Sequence, residues 1–267
     1  MKILLFRCKM LNDALRTGET IVKIKCSSLK LRVEYNPGGE PIMNDFTERT
    51  SLLLPAEKLK SKCIAVFGIG GVGSYTAEAL VRAGIGTIIL VDSDTVQTSN
   101  INRQLIALHS TIGQKKIEAA QKRYLDINPE LTIYTYDTFI LPENTENFFD
   151  SLPVKPDYIA DCIDTVSGKL AIIEKANALR IPIISCMGTG NKLHPEQFRI
   201  ADISKTSVCP LCRVMRRELK ERGIRKLDVL FSEETPIATG ESTIGSVSFV
   251  PSVAGLLIAG HIIRNLL

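Results

Sequence analysis

A glycine-rich turn constrains the fold of this chain more than any other segment of the sequence. Gly68, Gly70 and Gly73 give the spacing G-x-G-x-x-G, after the apolar run CIAVF and before a helical pattern near residues 72–83. A turn of this kind presents backbone N–H groups and a helix N-terminus, which together can hold a phosphate group. Asp92 ends the next apolar run, where a carboxylate can accept hydrogen bonds from a ribose. The turn therefore predicts a nucleotide site, although it does not separate NAD from ATP.

From Lys62 onward, apolar runs of strand length alternate with amphipathic runs of helical length. Such alternation is typical of a parallel sheet that is covered by helices on both faces. We predict an α/β fold with a doubly wound, mostly parallel, Rossmann-like sheet and a C-terminal α+β extension. The predicted strands are CIAVFG, GTIILVD, LTIYTYD, DYIADCI, IPIISCM, QFRIADI, KLDVLFS and GSVSFVPS. The predicted helices are 72–83, 113–127, 142–150, 166–179, PLCRVMRRELKERG and the apolar closing segment SVAGLLIAGHIIRNLL.

Residues 1–42 differ from the rest of the chain, because short mixed runs there end at the turn-forming sequence NPGGEP. We predict an N-terminal extension at 1–42, either a small hairpin or an arm, ahead of one main domain at 43–267. No small-residue cleavage site follows the opening MKILLFRCKM, and no apolar run approaches the ~20 residues that span a bilayer. Seven scattered cysteines suit a reducing compartment better than a disulfide framework. A cytoplasmic protein with no membrane partner is therefore expected.

The loop after the second predicted strand separates a triphosphate from a dinucleotide. Two of its cations, Arg103 and Lys116, suit several phosphate groups at once. Neutral hydrogen bonds to ribose and phosphate oxygens are available from Asn100, Asn102 and Gln104. Either cation alone would suit a solvated loop equally well. Their combination favours a triphosphate over a nicotinamide cofactor.

A single carboxylate, Asp164 in DCID, follows the fourth predicted strand. The carboxyl ends of parallel strands form the ligand-binding edge of such a sheet, where a carboxylate can hold Mg²⁺ against phosphates. Cations and a metal ligand together suit attack at the α-phosphate with pyrophosphate as the leaving group, because negative charge builds up there. The sequence therefore predicts ATP and Mg²⁺ as cofactors of an adenylating enzyme.

Four segments carry a family resemblance: GIGGVGS, DSDTVQTSNINRQ, GQKK and DCID resemble the ubiquitin-activating-enzyme superfamily. Its ThiF-like members adenylate a carboxylate with ATP and Mg²⁺, and the resemblance spans residues 43–267. It implies that Asp92 binds ribose and that Asp164 binds the metal. The nucleotide site expected from these segments comprises Gly68, Gly70, Gly71, Gly73, Asp92, Asp94, Asn100, Asn102, Arg103, Gln104 and Lys116, of which Asn100, Arg103 and Lys116 would bind phosphates.

The resemblance also implies an assembly. Arg49 in ERTSLLL matches the arginine that family members lend to the active site of the neighbouring subunit. A homodimer is therefore expected, with Arg49 acting beside Arg103, Lys116 and Asp164 as a catalytic residue.

The segments ADISKTSVCPLCRVMRRELKERGI and VLFSEETPI are similar to the tRNA threonylcarbamoyladenosine dehydratases. These enzymes activate the threonyl carboxylate of a modified adenosine beside the anticodon and expel AMP to leave a cyclised base. The resemblance implies a tRNA substrate. The alternative is an adenylyltransferase that activates the C-terminal glycine of a ubiquitin-like sulfur carrier, which leaves a sulfur-transfer partner open. An NAD-linked oxidoreductase ranks third.

Eight Lys or Arg residues stand against two Glu between Lys205 and Lys226, a local excess larger than the net charge of +4 of the whole chain. Within it, basic residues recur at helical spacings of three and four, which places their side chains along one face. A basic helix of this kind is often only a solvated surface. An RNA substrate favours phosphate binding instead, and the predicted tRNA-binding residues are Arg213, Arg216, Arg217 and Lys220.

The remaining cysteines and histidines give weaker signals. Cys209 and Cys212 form one C-x-x-C pair, half of a four-ligand zinc site, so two ordinary thiols are favoured over zinc, a redox pair or a thioester-forming cysteine. Cys162 and Cys186 lie in apolar strands and are predicted to be core residues. The three histidines, His109, His194 and His261, lack the spacing of a triad or a metal site, and surface or capping positions are expected for each.

Overall fold

A computed structural model describes residues 34–35, 41–42 and 46–267 of the chain. It divides into two compact units, Met1–Glu48 and Arg49–Leu267. In the first unit, β1 (Glu34–Tyr35) pairs antiparallel with β2 (Pro41–Ile42). The rest of the predicted 1–42 extension lies outside the described residues. The second unit contains the predicted sheet.

Seven strands form the sheet of the second unit, in the order β5-β4-β3-β6-β7-β9-β8. All neighbouring pairs are parallel except β8 with β9, which is antiparallel. The strands are β3 (Cys63–Phe67), β4 (Thr87–Val91), β5 (Thr132–Tyr136), β6 (Tyr158–Asp161), β7 (Ile183–Cys186), β8 (Phe198–Asp202) and β9 (Asp228–Ser232). This confirms the predicted mostly parallel α/β fold with an α+β extension at the C-terminal end.

Helices cover both faces of the sheet. The α-helices are α1 (Glu48–Ser51), α2 (Ala56–Leu59), α3 (Gly73–Arg82), α4 (Lys116–Ile127), α5 (Pro142–Asp150), α6 (Val166–Ala178), α7 (Pro210–Glu221) and α8 (Phe249–Leu266), of which α1 has no buried residue. The alternation of side chains along β3 shows why two cores form: Ile64 and Val66 pack with α3, α4 and α8, whereas Ala65 and Phe67 pack with α5 and α6. A third cluster packs α7 against β9 and α6.

The closing helix α8 begins earlier than the sequence indicates. The segment GSVSFVPS was predicted to be a strand, but Phe249 is already the first residue of α8, so that prediction was wrong. Gly255 explains the close packing of α8 on α3, because a Cβ atom there would lie 2.4 Å from the carbonyl oxygen of Val72. In the described part of the chain, α8 is the one helix long and apolar enough to cross a membrane by length and composition, a test that buried core helices also meet. Its inner face, which includes Ile258 and Ile262, is buried.

The order of the strands places a crevice at one point of the sheet. From β3 the chain first builds outward through β4 and β5, and it then returns to add β6 and β7 on the opposite side of β3. The loops that leave the carboxyl ends of β3 and β6 consequently diverge, and ligands of open α/β sheets bind in such a crevice. The predicted site residues that follow these two strands, Gly68 and Asp164, therefore belong to the same edge of the sheet.

Candidate nucleotide site

The glycine turn between β3 and α3 is fixed by close backbone contacts. Gly68 has a φ of 84°, and a Cβ atom there would lie 2.9 Å from the carbonyl oxygen of Cys162. A Cβ atom on Gly73 would lie 1.7 Å from the carbonyl oxygen of Gly68, so this glycine allows the helix to approach the strand. Gly70 and Gly71 face the cavity beside the turn. The motif thus divides into glycines required by packing and glycines that leave room for a ligand.

A cavity of about 340 Å³ lies over this turn, at the carboxyl ends of β3, β4 and β6. Most of the predicted site residues line it, namely Gly68, Gly70, Gly71, Asp92, Asp94, Asn100, Arg103, Gln104, Lys116 and Asp164. Gly73, Asn102 and Arg49 do not. Other residues that line the cavity were not identified from the sequence, among them Thr138, Phe139, Ile140, Thr165, Thr189, Ser246 and Pro251. Segment 138–140 could have been found, because it follows β5 at the same sheet edge.

Asp92 connects the glycine turn with the loop that follows β4. Its carboxylate accepts hydrogen bonds from the backbone N–H groups of Ile69, at 2.6 Å, and of Asp94, at 2.8 Å. Lys116 Nζ lies 2.6 Å from Asp94 Oδ2 and 3.9 Å from Asp92 Oδ1. Burial raises the pKa of Asp92, and the nearby Lys116 ammonium opposes this change. The cluster therefore presents an almost buried cation and a carboxylate with a fixed orientation at the cavity.

The loop of residues 99–104 holds its cation through local hydrogen bonds. Arg103 Nη1 donates to the carbonyl oxygen of Ser99 and to Asn102 Oδ1, both at 2.9 Å. Asn102 in turn donates from Nδ2 to the carbonyl oxygen of Ser246 at 2.9 Å. Asn102 therefore supports Arg103 and connects two segments of the chain, and it does not itself reach the cavity. The position of the guanidinium is set before any ligand binds.

Gln104 provides a test of whether a nucleotide fits the cavity. Its side chain is 6% exposed, and among the described residues Oε1 is a buried side-chain polar atom without a hydrogen-bond partner. A buried acceptor left without a donor is unfavourable in the free protein. Hydroxyl and amino groups of a nucleotide are donors of the required kind, whereas fully ionised phosphate oxygens are not. The orphaned atom therefore fits a nucleoside better than a simple anion.

Asp164 is an exposed carboxylate of the cavity wall, and unlike Asp94 it is not paired with Lys116. Among the described residues it accepts one side-chain hydrogen bond, from Thr165 Oγ1 at 3.5 Å. No group of three or more His, Cys, Asp or Glu side chains is arranged to hold a metal within the described part of the chain. Mg²⁺ usually binds to one or two carboxylates together with substrate phosphates and water. A single carboxylate beside a phosphate-binding turn fits that mode, and it does not fit a closed all-protein metal site.

Several candidate residues lie away from the cavity. Arg49 is exposed on α1. His109 is exposed on a short turn, and His194 Nδ1 lies 2.8 Å from Glu196 Oε1 at the surface. His261 contacts Asp228, the first residue of β9, at 3.3 Å, so it lies at the opposite edge of the sheet. His109 and His194 thus have the expected surface positions, whereas His261 lies inside α8 with a side chain that is 18% exposed. None of the three lines the nucleotide cavity.

The C-x-x-C pair lies at the start of α7 inside the third apolar cluster. Cys209 and Cys212 are both buried, with Met215 and Leu219 of the same helix beside them. Hydrogen bonds from the Cys212 thiol and from backbone N–H groups lower the pKa of Cys209, whereas the contact with Cys209 and burial raise the pKa of Cys212. Burial raises the pKa of Cys186 to about 12, and it also raises the pKa of Cys162, which lines the cavity. Cys186, Cys209 and Cys212 therefore have core positions, whereas Cys162 is only partly buried and borders the cavity. Among the described residues, no further His, Cys, Asp or Glu side chains complete a metal site with this pair.

We expect Cys209→Ser and Cys212→Ser, singly or together, to leave the turnover of the folded protein largely unchanged. Each change places a serine hydroxyl group inside an apolar cluster and should lower the free energy of unfolding by about 1–3 kcal/mol. Thermal unfolding and turnover of each purified variant measure the two effects separately. Stoichiometric zinc in the unaltered protein, or complete loss of turnover in a variant that is still folded, would contradict this prediction.

Helix α7 carries the basic stripe predicted to bind tRNA, which consists of Arg213, Arg216, Arg217 and Lys220. These four residues differ in their contacts. Arg216 Nη1 donates to the carbonyl oxygen of Thr206 at 2.9 Å and also contacts the Thr206 hydroxyl. Arg217 pairs with Glu218 at 2.8 Å in a largely exposed position. Arg213 and Lys220 are exposed. Arg216 therefore ties α7 to the segment before it, whereas the other three face solvent at spacings of four and three residues.

Comparisons with known proteins identify a family and several similar chains. The model of the ThiF family matches residues 43–267. A tRNA threonylcarbamoyladenosine dehydratase of Bacillus subtilis is 43% identical over 229 residues, which cover 79% of this chain and 89% of the relative. The dehydratase of Escherichia coli is 33% identical over 232 residues, which cover 76% of this chain and 85% of the relative.

A solved structure is similar as well. The crystal structure of the Escherichia coli dehydratase TcdA in complex with ATP matches with a TM-score of 0.76 at 33% identity, covering 82% of this chain and 91% of that one. The glycine turn, the acidic and basic residues after β4 and the carboxylate after β6 thus occur in a chain that resembles these proteins over most of its length. The chain belongs to the ThiF family.

Proposed function

We infer that this chain is an ATP-dependent tRNA-modifying enzyme. It adenylates the carboxylate of threonylcarbamoyladenosine in tRNA and cyclises the modified base, with release of pyrophosphate and AMP. The observation that carries the proposal is that the glycine turn, Asp92, Arg103, Lys116 and Asp164 line the same cavity, in a chain similar to the dehydratases over most of both lengths. We propose the cytoplasm as its location, because tRNA is the substrate.

The residues of the cavity suggest how ATP is held. The N–H groups of the glycine turn and the N-terminus of α3 suit the phosphates. Both oxygens of Asp92 already accept backbone hydrogen bonds, which orients the carboxylate toward ribose hydroxyl groups. Gln104 Oε1, which has no partner among the described residues, accepts from a hydroxyl or amino group of the nucleoside. Phosphates bind between Arg103 and Lys116, where both cations are oriented in advance.

Adenylation places the substrate carboxylate against the α-phosphate, and pyrophosphate leaves. Negative charge builds up on the phosphate oxygens in the transition state, and Arg103 and Lys116 stabilise it from fixed positions. When bound, Mg²⁺ supplies further neutralisation of the phosphates, with Asp164 as its protein ligand. Cyclisation of the adenylated substrate is intramolecular and needs no enzyme thiol. The raised pKa of Cys162 at the cavity wall agrees with a thiol that takes no part, and this reaction requires no sulfur-transfer partner.

The identity of the carboxylate substrate can be tested by the release of AMP. Purified protein is incubated with ATP, Mg²⁺ and either tRNA that carries threonylcarbamoyladenosine or a small protein that ends in Gly-Gly. The proposal predicts AMP release with the tRNA and none with the protein. Release of pyrophosphate that depends on the Gly-Gly protein would favour the sulfur-carrier adenylyltransferase, because the AMP then stays attached to that protein as an acyl adenylate. Hydride transfer to a nicotinamide cofactor without release of pyrophosphate would favour the oxidoreductase.

The exposed stripe Arg213, Arg217 and Lys220 on α7 is proposed to contact the tRNA backbone. Arg213→Glu with Lys220→Glu should weaken tRNA binding and reduce the slope of log affinity against log salt by roughly 0.7–0.9 for each lost phosphate contact. ATP binding without tRNA should not change. We exclude Arg216 from this test, because its contact with Thr206 is structural.

The matched control for the stripe is Lys122→Glu together with Lys58→Glu, two exposed lysines on α4 and α2. This pair applies the same change of net charge outside α7. Equal losses of affinity in both double variants would indicate a general charge effect, and unchanged affinity and salt slope in the α7 variant would show that tRNA binds elsewhere.

We propose a homodimer in which Arg49 acts on the partner's site. Arg49 is exposed and does not line the cavity of its own chain, which is compatible with a role in trans. Arg49→Ala and Asp164→Asn proteins, each inactive, should regain activity on mixing, because each heterodimer contains one intact composite site. Subunit exchange is verified with two affinity tags. With exchange established, an absence of recovery would contradict action in trans.

A further inference from the structure

A fully buried ion pair lies beneath the nucleotide cavity. Lys169, in the first turns of α6, is 0% exposed, as are Asp161 and Ser185. Its Nζ atom lies 3.1 Å from Asp161 Oδ2, 3.2 Å from Ser185 Oγ and 2.7 Å from the carbonyl oxygen of Cys186. The Ser185 hydroxyl also donates to Asp161 Oδ2 at 2.6 Å. The three hydrogen atoms of the ammonium group are thus each provided with an acceptor.

The placement of this ion pair is unusual for a stabilising feature. Transfer of two charges into a protein interior costs solvation free energy, and apolar replacements of a buried ion pair are often as stable or more stable. Leu170 and Ile173, its neighbours along the same helix, are buried in the third apolar cluster. A buried pair in such a setting is better explained by the orientation it imposes than by the stability it adds.

The groups oriented by the pair are the ends of two strands. Asp161 is the last residue of β6, and Cys186 is the last residue of β7. Asp161 Oδ1 additionally accepts from the backbone N–H of Ile163 at 3.3 Å. Lys169 therefore joins the two strand ends at the level where their loops begin.

Both loops contribute to the nucleotide cavity. Ile163, Asp164 and Thr165 line it after β6, and Thr189 lines it after β7. Since Asp164 accepts one weak side-chain hydrogen bond among the described residues, its position is set mainly by the backbone of its loop. In that loop, the backbone N–H of Ile163 donates a hydrogen bond to the Asp161 side chain. This hydrogen bond holds the loop one residue before Asp164.

We propose that Lys169 is a positioning residue: with Asp161 and Ser185 it fixes the loop that presents Asp164 to a divalent cation bound with the nucleotide phosphates. The proposal rests on the proposed function for the identity of the nucleotide. According to this proposal, a buried residue outside the cavity determines the geometry of the cation site. Residues that orient metal ligands in this way typically change metal affinity 10- to 100-fold when they are replaced.

The test measures cation binding directly, without turnover. Mn²⁺ binding is followed by electron paramagnetic resonance in the presence of α,β-methylene ATP, for the unaltered protein and for Asp161→Asn with Lys169→Met. The double substitution removes both charges together and leaves neither unpaired in the interior. We expect Mn²⁺ affinity to fall by about 10- to 100-fold, whereas affinity for the nucleotide measured with EDTA stays within experimental error.

Two further variants make the test specific. Lys175→Met is the control, because Lys175 lies on the same helix but pairs with Glu146 and Asp150 of α5, and it should leave Mn²⁺ affinity unchanged. Ser185→Ala keeps the ion pair and loses one hydrogen-bond partner. It should lower Mn²⁺ affinity by roughly 2- to 10-fold, and it decides the question if the double variant does not fold.

Unaltered Mn²⁺ affinity in the folded double variant, or in Ser185→Ala where the double variant is unfolded, would overturn the proposal. An equal loss in Lys175→Met would also overturn it. Failure of the proposed function has a different signature: the unaltered protein would bind Mn²⁺ and nucleotide normally but would not release AMP with tRNA.

Discussion

Asp164→Asn is expected to reduce AMP formation by at least a factor on the order of 10²–10³, equivalent to about 3–4 kcal/mol of transition-state stabilisation. The change keeps the volume of the side chain and removes the negative charge that the cation requires. The fold should not change, because the Asp164 carboxylate is exposed and has one weak side-chain hydrogen bond among the described residues. Single-turnover formation of AMP from saturating ATP and tRNA measures the effect on the chemical step.

Asp137→Asn is the matched control for this prediction. Asp137 follows β5 at the same edge of the sheet, but it pairs with Lys115 at 3.0 Å and does not line the cavity. Its replacement should leave the rate of AMP formation nearly unchanged. Near-normal turnover of the Asp164 variant would contradict the assignment of Asp164 as a metal ligand. An equal loss of turnover in both variants would indicate a general effect of charge at this edge of the sheet.

Lys116→Ala and Arg103→Ala should each cost about 2–4 kcal/mol in kcat/KM, the range expected for the loss of one preoriented donor to a developing charge. The structure gives a reason for a large effect at Lys116, because this lysine is 5% exposed and water cannot easily replace it. Its removal also leaves Asp92 and Asp94 without their nearest cation, which makes the cavity less favourable for phosphates.

Lys115→Ala provides the matched control, since Lys115 precedes Lys116 but contacts Ser93 and Asp137 and does not line the cavity. Binding of ATP and turnover of bound ATP are measured separately for each variant. A weaker affinity for ATP with normal turnover of bound ATP would mean that the two cations hold the ground state and do not stabilise the transition state.

The strands of the sheet could be predicted from the sequence because each strand is encoded by a short run of consecutive residues. A buried parallel strand reads as a continuous apolar run, as CIAVF and TIILV do, and the chain forms β3 and β4 there. Helix boundaries were less predictable: α4 begins at Lys116 and not at residue 113, since Gly113 has a φ of 82° and leaves the helical conformation. The alternation in GSVSFVPS suggested a strand, but packing of Gly255 on α3 favours a helix, and that contact joins residues far apart in the sequence.

In the nucleotide site, too, the features that depend on neighbouring residues could be predicted, and those that depend on tertiary contacts could not. A motif and a strand end identified the glycine turn and Asp92, because both depend on neighbouring residues. The pairing of Lys116 with Asp94, the support of Asn102 by Ser246 and the unpartnered Gln104 Oε1 depend on tertiary contacts that no spacing encodes. The contacts of the basic residues on α7 could not be predicted for the same reason, since the Thr206 carbonyl oxygen that accepts from Arg216 belongs to another segment. Residue type and order therefore identified the groups, and the fold determined their roles.

Mass spectrometry of the modified nucleoside tests the central claim most directly. tRNA that carries threonylcarbamoyladenosine is incubated with the purified protein, ATP and Mg²⁺, digested to nucleosides and compared with the same reaction lacking ATP. The account predicts that the modified adenosine loses the mass of one water molecule, in an amount that matches the AMP released. A nucleoside of unchanged mass in a reaction that still releases AMP and pyrophosphate would contradict it.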